Sequence, residues 1–427
     1  MPRVVIVAEH ASARFGGKAA LPLHYFRLLM ARRCEAWLVC HARVQDELAA
    51  AFPQHADRIV YTADTWLHRL LWRAGQWLPA RISYFTTGFK MRLLAQRDQR
   101  SVVRQLVRQH RIDIVHQPMP VSPKEPSIMC GVGAPVIIGP MNGGKRYPPA
   151  FRSGKAAIQE SLANGARWFS DGLHYFLPGK RQAALLMVAN DRTRHALPRT
   201  ATGRVELLPE NGVNLTLWAR PLPVDKATVD PNAMVRFVFM GRLVDWKAVD
   251  LLLEAFSRMK LRSTATLTTI GDGPERQALR KLSTALKLDT LAPGAAACVL
   301  FEGWLTQAEC AATLHRQDVL VLPSLWECGG AVVLEAMAAE LPVLATAWGG
   351  PLDYGTEECG ILVPPSSREA LVEGLAAGLD TLAGSRSLRE RMGAAGRERV
   401  LRHFDWVRKM DRMFSHYDQV RARRSHA

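Results

Sequence analysis

The 427-residue chain lacks any stretch long and apolar enough to cross a bilayer. Apolar runs such as VVIVA (4–8) and VLVLP (319–323) are strand-sized, against the ~20 residues a spanning helix needs. No apolar signal region follows a basic N-terminus, because strand-like PRVVIVAEH comes at once, so a secretory leader is not expected. Cysteine is sparse: Cys34, Cys40, Cys130, Cys298, Cys310, Cys328 and Cys359 are odd in number, scattered, and form no CxxC pair. That excludes a disulfide framework or a cysteine zinc site and fits reduced cytoplasmic thiols. Repeats and low-complexity tracts are missing, which excludes a solenoid. Acid is in short supply, with 39 Asp+Glu against 56 Lys+Arg, a net charge of +17. Such a surface attracts phosphates, whether on nucleic acid, lipid headgroups or nucleotides, and its sign alone does not choose among them.

What is present is alternation. RVVIVAEH, CEAWLVCHA, RIDIVHQP, APVIIGPM and LLMVAN are β-rich runs separated by helical stretches, the pattern of a parallel sheet with helical crossovers. ARPLPVDKATVDPNA (219–233) carries three prolines and reads as a linker. A second series follows: VRFVFMGR, TATLTTIGDGP, CVLFEGW, DVLVLPS, LPVLATA and GILVPP as strands, VDLLLEAFSRM and VVLEAMAAE as helices. SSREALVEGLAAGL predicts a helix opened by a capping box from Ser366 to Glu369. The simplest architecture is α/β, with two Rossmann-like domains at 1–220 and 221–407. An aromatic-rich helix at 408–427 is expected to pack back on the first domain. Ligands of such sheets bind at the carboxyl ends of the strands.

The chemistry-bearing residues sit at those strand ends. FVFMGRLVDWK leaves a strand through Gly241 and sets Arg242 and Lys247 in the next loop, a planar fork and a point charge suited to phosphate oxygens. The same pair also reads as two solvated cations at a helix start. ECGGAVVLEAMAAE places Glu327 and Glu335 eight positions apart, with Gly329 and Gly330 where a helix begins. Backbone N–H groups there can hold a diphosphate at the positive helix end. Glu335, just over one turn in, can take a ribose diol, and Glu327 can reach a sugar. A dipole-favoured acid and a solvated Glu are the plainer alternative. Gly16 and Gly17, with Lys18, form a loop that can meet a phosphate or be a flexible turn. Asn211-Gly212 and Gly349-Gly350 read as tight turns. His116 ends a strand and Lys145 follows Gly143-Gly144; both are candidates for an acceptor side, though a lone His is usually structural. Residues 64–92 are basic and aromatic, with Trp66, Leu70 and Trp77 at helical spacing beside Arg69, Arg73, Arg81, Lys90 and Arg92. This predicts either a helix that docks on an anionic membrane surface or one buried against the sheet.

Taken together, GRLVDWK, GDGPE, FEGWL, PSLWECGGAVVLEAMAAELPVLAT and GGPLDY resemble the nucleotide-sugar glycosyltransferases of GT-B fold, in particular retaining family 4, most closely over about 234–365. The paired glutamates with seven residues between them are the most specific element. The first half is similar more loosely, through its glycine pair, DIVH and NGVN. The resemblance implies two Rossmann-like domains facing each other across a deep cleft. It implies catalytic roles for Arg242, Lys247 and Glu327 and donor-binding roles for Gly16, Gly17, Gly329, Gly330 and Glu335. No cofactor or metal is expected, and no DxD pair stands at a strand end. Two positions depart from the family: Cys328 stands where Gly is usual, and Pro118 where a second acceptor-loop histidine often lies.

The implied reaction moves a hexose from a nucleoside diphosphate sugar to an acceptor hydroxyl with retention. The expected acceptor is a saccharide or lipid-linked saccharide of cell-envelope or exopolysaccharide synthesis. No nucleic acid is expected as partner. The expected location is cytoplasmic, peripheral on the inner face of the membrane. The other class is a non-catalytic module that binds a nucleotide sugar or phosphate.

Overall fold

A computed structural model describes residues 1–12, 14, 17–152, 172–219, 234–289 and 299–424. The chain divides into two units. Unit 1 comprises Met1–Gly144, Leu162–Glu210 and Lys409–Ala427, and unit 2 comprises Lys145–Ser161 and Asn211–Arg408. The proline-rich linker and the expected boundary at 220/221 fall in 220–233, outside the described residues.

In unit 1, strands β1 (Val4–Val7), β2 (Ala36–His41), β3 (Ile59–Thr62), β4 (Ile114–Gln117), β5 (Val136–Met141), β6 (Leu185–Val188) and β7 (Val205–Leu207) form one sheet in the order β3-β2-β1-β4-β5-β6-β7. Every pairing is parallel. The central strands are buried along their length and read as unbroken apolar runs because helices cover both faces. Helices α1 (Gly17–Ala31), α2 (Gln45–Ala51), α3 (Trp66–Gln76), α4 (Ala80–Phe85) and α5 (Thr87–His110) belong to this unit. Along α5, Val103, Leu106 and Val107 recur at helical spacing and pack with Val5, Val7 and Trp37. The edge strands β3 and β7 escape the sequence pattern, being short and half-covered. The last helix, Trp406–Arg424, buries Tyr417 against His116 of β4.

Unit 2 repeats the plan with β8 (Val235–Met240), β9 (Ala265–Ile270), β10 (Val299–Gly303), β11 (Val319–Leu322), β12 (Val343–Thr346) and β13 (Gly360–Val363), ordered β10-β9-β8-β11-β12-β13 and all parallel. All six were expected from the sequence. The helix Arg368–Gly384 is capped by Ser367, which accepts from Ala370 N, so the predicted Ser366–Glu369 box does not form. Glu369 instead pairs with Arg258. A true capping box stands at Thr306 and Glu309, which satisfy each other's backbone N–H groups at the start of Gln307–Leu314.

In each sheet the chain reverses its winding beside the first strand, between β1 and β4 and between β8 and β11. At such a point the two loops leave on opposite faces and open a crevice at the carboxyl ends.

Candidate functional site

The reversal in unit 2 explains why two distant motifs meet. β8 and β11 are neighbours, so the loop Gly241–Lys247 and the loop Pro323–Gly330 emerge side by side. Leu325 N donates to Trp246 O at 2.9 Å, joining them through the backbone. Lys247 Nζ then donates to Glu327 Oε2, with both side chains largely buried. Arg242 is exposed and pairs with no carboxylate among the described residues.

Glycines shape the second loop. Gly330 has φ +71 and precedes the helix Ala331–Ala338, which has no side-chain cap and no acid in its first turn. Its N-terminal N–H groups keep their partial positive charge for an anion. Gly349 has φ +68, and a Cβ there would lie 2.5 Å from Glu327 O. Gly350 N donates to that same carbonyl at 3.3 Å. The pair read from sequence as a tight turn therefore also holds the Glu327 backbone in place.

Glu335 follows one turn into the helix. It is half-buried among Val332, Val333, Leu334 and Ala336. Its carboxylate has no hydrogen-bond partner among the described residues, and desolvation pushes its pKa up to about 7. A carboxyl in that setting gains when a polar ligand reaches it.

Around Glu327 the structure adds residues that the motif reading did not select. Tyr147 stacks on Trp326 with ring centres 5.6 Å apart and planes 11° apart. Lys145 Nζ lies 3.8 Å from the centre of the Trp326 ring. Trp246 meets Trp326 edge-on at 5.8 Å, and Trp348 Nε1 donates to Arg146 O. Lys145, read as an acceptor-side candidate, thus sits beside the residue preceding Glu327, within unit 2. Ser324, at the end of β11, is buried with no partner for Oγ among the described residues. Clusters of aromatics brought together by three separate loops leave no local spacing that could reveal them.

Unit 1 has a cavity of ≈ 700 Å³ at the reversal between β1 and β4. Its polar lining includes Glu9 and His10 from the end of β1, Arg43, Arg92 from α5, and Glu125 after β4. Arg92 Nε donates to Glu125 Oε1. Burial works to raise the Glu9 carboxyl, yet His10, Arg92 and Arg43 together bring it below the ordinary carboxylate range. Leu71 and Trp72 of α3 and Tyr84 of α4 form an apolar side. The sequence offered no marker for this cavity, since its side chains come from six places in the chain.

The remaining candidates divide. His116 lies fully buried, with Nδ1 bonded to Tyr417 Oη at 2.8 Å and Nε2 to Gly139 O at 2.7 Å. Both nitrogens are taken up inside unit 1, and desolvation pushes its pKa down to about 4. Gly17 begins α1, and Gly16 lies outside the described residues. Along α3 and α4, Trp66, Leu70, Trp72, Trp77, Ile82 and Phe85 are exposed, Trp77 at 90%. The buried face of α3 is formed by His68 and Gly75, so the burial alternative for its aromatics is not what folds.

Two doubly wound parallel sheets, each with its loops gathered at the winding reversal, define the GT-B fold. Residues 227–399 match the family described as Glycosyl transferases group 1, and that stretch is a domain of this family. The lipopolysaccharide core biosynthesis glycosyltransferase LpsE of Rhizobium meliloti is 33% identical over 193 residues, 45% of this chain and 52% of that protein. The sulfoquinovosyl transferase SQD2 of Arabidopsis thaliana is 33% identical over 40% of this chain and 30% of its own. The match thus spans about half the length of these curated relatives or less. Among solved structures, Anabaena HepE in complex with UDP and glucose superposes with a TM-score of 0.63 at 16% identity, covering 98% of this chain and 100% of that one. Sucrose-phosphate synthase of Thermosynechococcus elongatus gives 0.65 at 18% identity, covering 98% and 99%. At these identities the likeness is one of fold.

Proposed function

We propose that the chain is a retaining glycosyltransferase of family 4 that moves a hexose from a nucleoside diphosphate sugar to an acceptor hydroxyl without a metal. The observation that carries this reading is the meeting of Lys247 and Glu327 beside the uncapped helix start at Gly330, with an unpartnered Glu335 one turn further on. Charge, backbone N–H groups and a polar acceptor are then arrayed over a distance suited to diphosphate, sugar and ribose.

In this mechanism the bond between the anomeric carbon and the β-phosphate oxygen breaks, and its electron pair leaves with the diphosphate. The acceptor oxygen attacks the same face, and its proton passes to that departing oxygen. Lys247 and Arg242 stabilise the charge growing on the diphosphate, together with the N–H groups after Gly329 and Gly330. Lys247 exchanges its bond to Glu327 for one to phosphate, which frees Glu327 for the sugar. Glu335 takes the ribose hydroxyls.

The acceptor is a saccharide or lipid-linked saccharide of envelope polysaccharide synthesis, a reading supported by the likeness to LpsE. The exposed aromatic face of α3 and α4, flanked by Arg69 and Arg73, suits an anionic membrane on the cytoplasmic side. Flotation with anionic liposomes at low salt tests that surface; absence of binding removes it. Activity is tested by incubating the protein with labelled UDP-, GDP- and ADP-sugars and following transfer or slow hydrolysis. UDP-glucose comes first, because HepE was solved with it. Binding without turnover of any donor would favour the non-catalytic module instead.

A further inference from the structure

Outside both loop clusters, one group of side chains is left with unusual chemistry. His41 ends β2, Asp64 lies just after β3, and His68 is in the first turn of α3. Among the described residues this is the group of three potential metal-ligating side chains that converge, with one ligand atom from each within 4.8 Å of the others. Both histidines are fully buried, yet His41 Nε2 and His68 Nε2 have no hydrogen-bond partner among the described residues. Buried polar atoms are nearly always satisfied, so two on facing rings call for a ligand. The rings meet edge-on at 5.0 Å, and His41 Nε2 stands 3.7 Å from Asp64 Oδ1.

We infer that His41, Asp64 and His68 form a site for a divalent first-row ion of the Zn²⁺ class, distinct from the sugar-transfer chemistry. Imidazole nitrogen and a carboxylate are the donor set such ions take, and tetrahedral bonds of roughly 2.0–2.2 Å put donors about 3.3 Å apart. The three atoms need to close by up to about 1.5 Å. Burial keeps both rings neutral, the ligating form, with His41 pushed down to about 4. Asp64 is 39% exposed and gives the ion an entry path and an open fourth position. His68 Nδ1 bonds to Thr65 Oγ1 at 2.8 Å, which fixes that ring from behind. Three carboxylates stand near the rings even in a chain this basic: Asp64 and Glu9 act on both, Asp98 acts on His68, and Arg43 opposes them.

His41 Nδ1 accepts from Arg43 N at 3.3 Å, so the free ring carries its proton on Nε2. Ligation through Nε2 moves that proton to Nδ1, so the Arg43 N–H gives up its 3.3 Å contact and turns to solvent while Nδ1–H takes a water as acceptor. The ion then ties the start of α3, and with it the exposed aromatic face, to the edge of the sheet.

The test uses the full chain stripped with EDTA and titrated with Zn²⁺ by calorimetry, with Co²⁺ absorption reporting the ligand set. A single tight equivalent and a Zn²⁺-dependent rise in unfolding temperature are expected. H41A, H68A and D64N should each weaken binding at least about tenfold, and T65V about tenfold. D64N changes an exposed position and keeps the comparison valid if a histidine variant fails to fold. No binding at micromolar Zn²⁺, or three ligand variants that bind like wild type, would overturn the site.

Discussion

The two winding reversals are built from different materials. At β8/β11 backbone and glycine shape the surface around the Lys247–Glu327 pair. Gly330 and Gly349 adopt positive φ, and Gly349 leaves no room for a Cβ against Glu327 O. At β1/β4 the cavity is made of long side chains, Glu9, Arg43, Arg92 and Glu125, with Trp72 and Tyr84 on its apolar side. A diphosphate and a ribose are common to many donors, and backbone N–H groups at fixed spacing suffice to hold them. An individual acceptor must be told apart from others, and that requires side chains of particular shape and charge.

This difference can be broken or sharpened by substitution. The largest effect is expected from Lys247→Ala, which removes the cation proposed to meet the diphosphate. Turnover should fall by about 10²–10³-fold with an unchanged circular dichroism spectrum. Near-normal turnover would sink the diphosphate role. Next comes Gly349→Val, which adds a β-branched side chain at positive φ against Glu327 O. It should cost about 1–3 kcal/mol of stability by thermal or denaturant unfolding and lower turnover with it. The corresponding change at β1/β4, Glu125→Gln, breaks the pair with Arg92. It should raise the acceptor KM while leaving donor hydrolysis untouched, and a change in donor hydrolysis would contradict the separation of tasks.

The smallest effect is a pH dependence. Glu335 holds its proton up to about 7 in the free protein because it is desolvated. If ribose hydroxyls donate to the ionised form as proposed, donor affinity should weaken about tenfold from pH 8 to pH 6, and Glu335→Gln should abolish the slope. The raised pKa also has a sign for the unliganded fold. The protonated form is favoured by folding, and that increment is lost as pH rises from the ordinary carboxylate range through about 7. Unfolding curves of wild type and Glu335→Gln across that window check it.

The same contrast explains what could be read in advance. The strands of unit 2 are largely apolar runs, several of them bounded by glycine, and the motif at 327–335 carries its proposed ligand spacing within nine residues. Both features are local, so both are visible in the sequence. The cavity of unit 1 depends on the ends of β1 and β4 and on three helices set against the sheet, segments far apart in the chain. His116 looked like a site residue because it ends a strand, but the bonds that occupy it come from Gly139 and from Tyr417, 301 positions away. The aromatic cluster of Tyr147, Trp246 and Trp326 was hidden for the same reason.

The most direct measurement follows nucleoside diphosphate release and sugar transfer, wild type beside Lys247→Ala, across UDP-, GDP- and ADP-sugars, with donor binding measured by calorimetry in parallel. One nucleotide class should bind, wild type should release its diphosphate with the sugar's anomeric configuration retained, and the variant should be slower by orders of magnitude. Donor binding without release in the wild type, or release that does not depend on Lys247, would contradict the account.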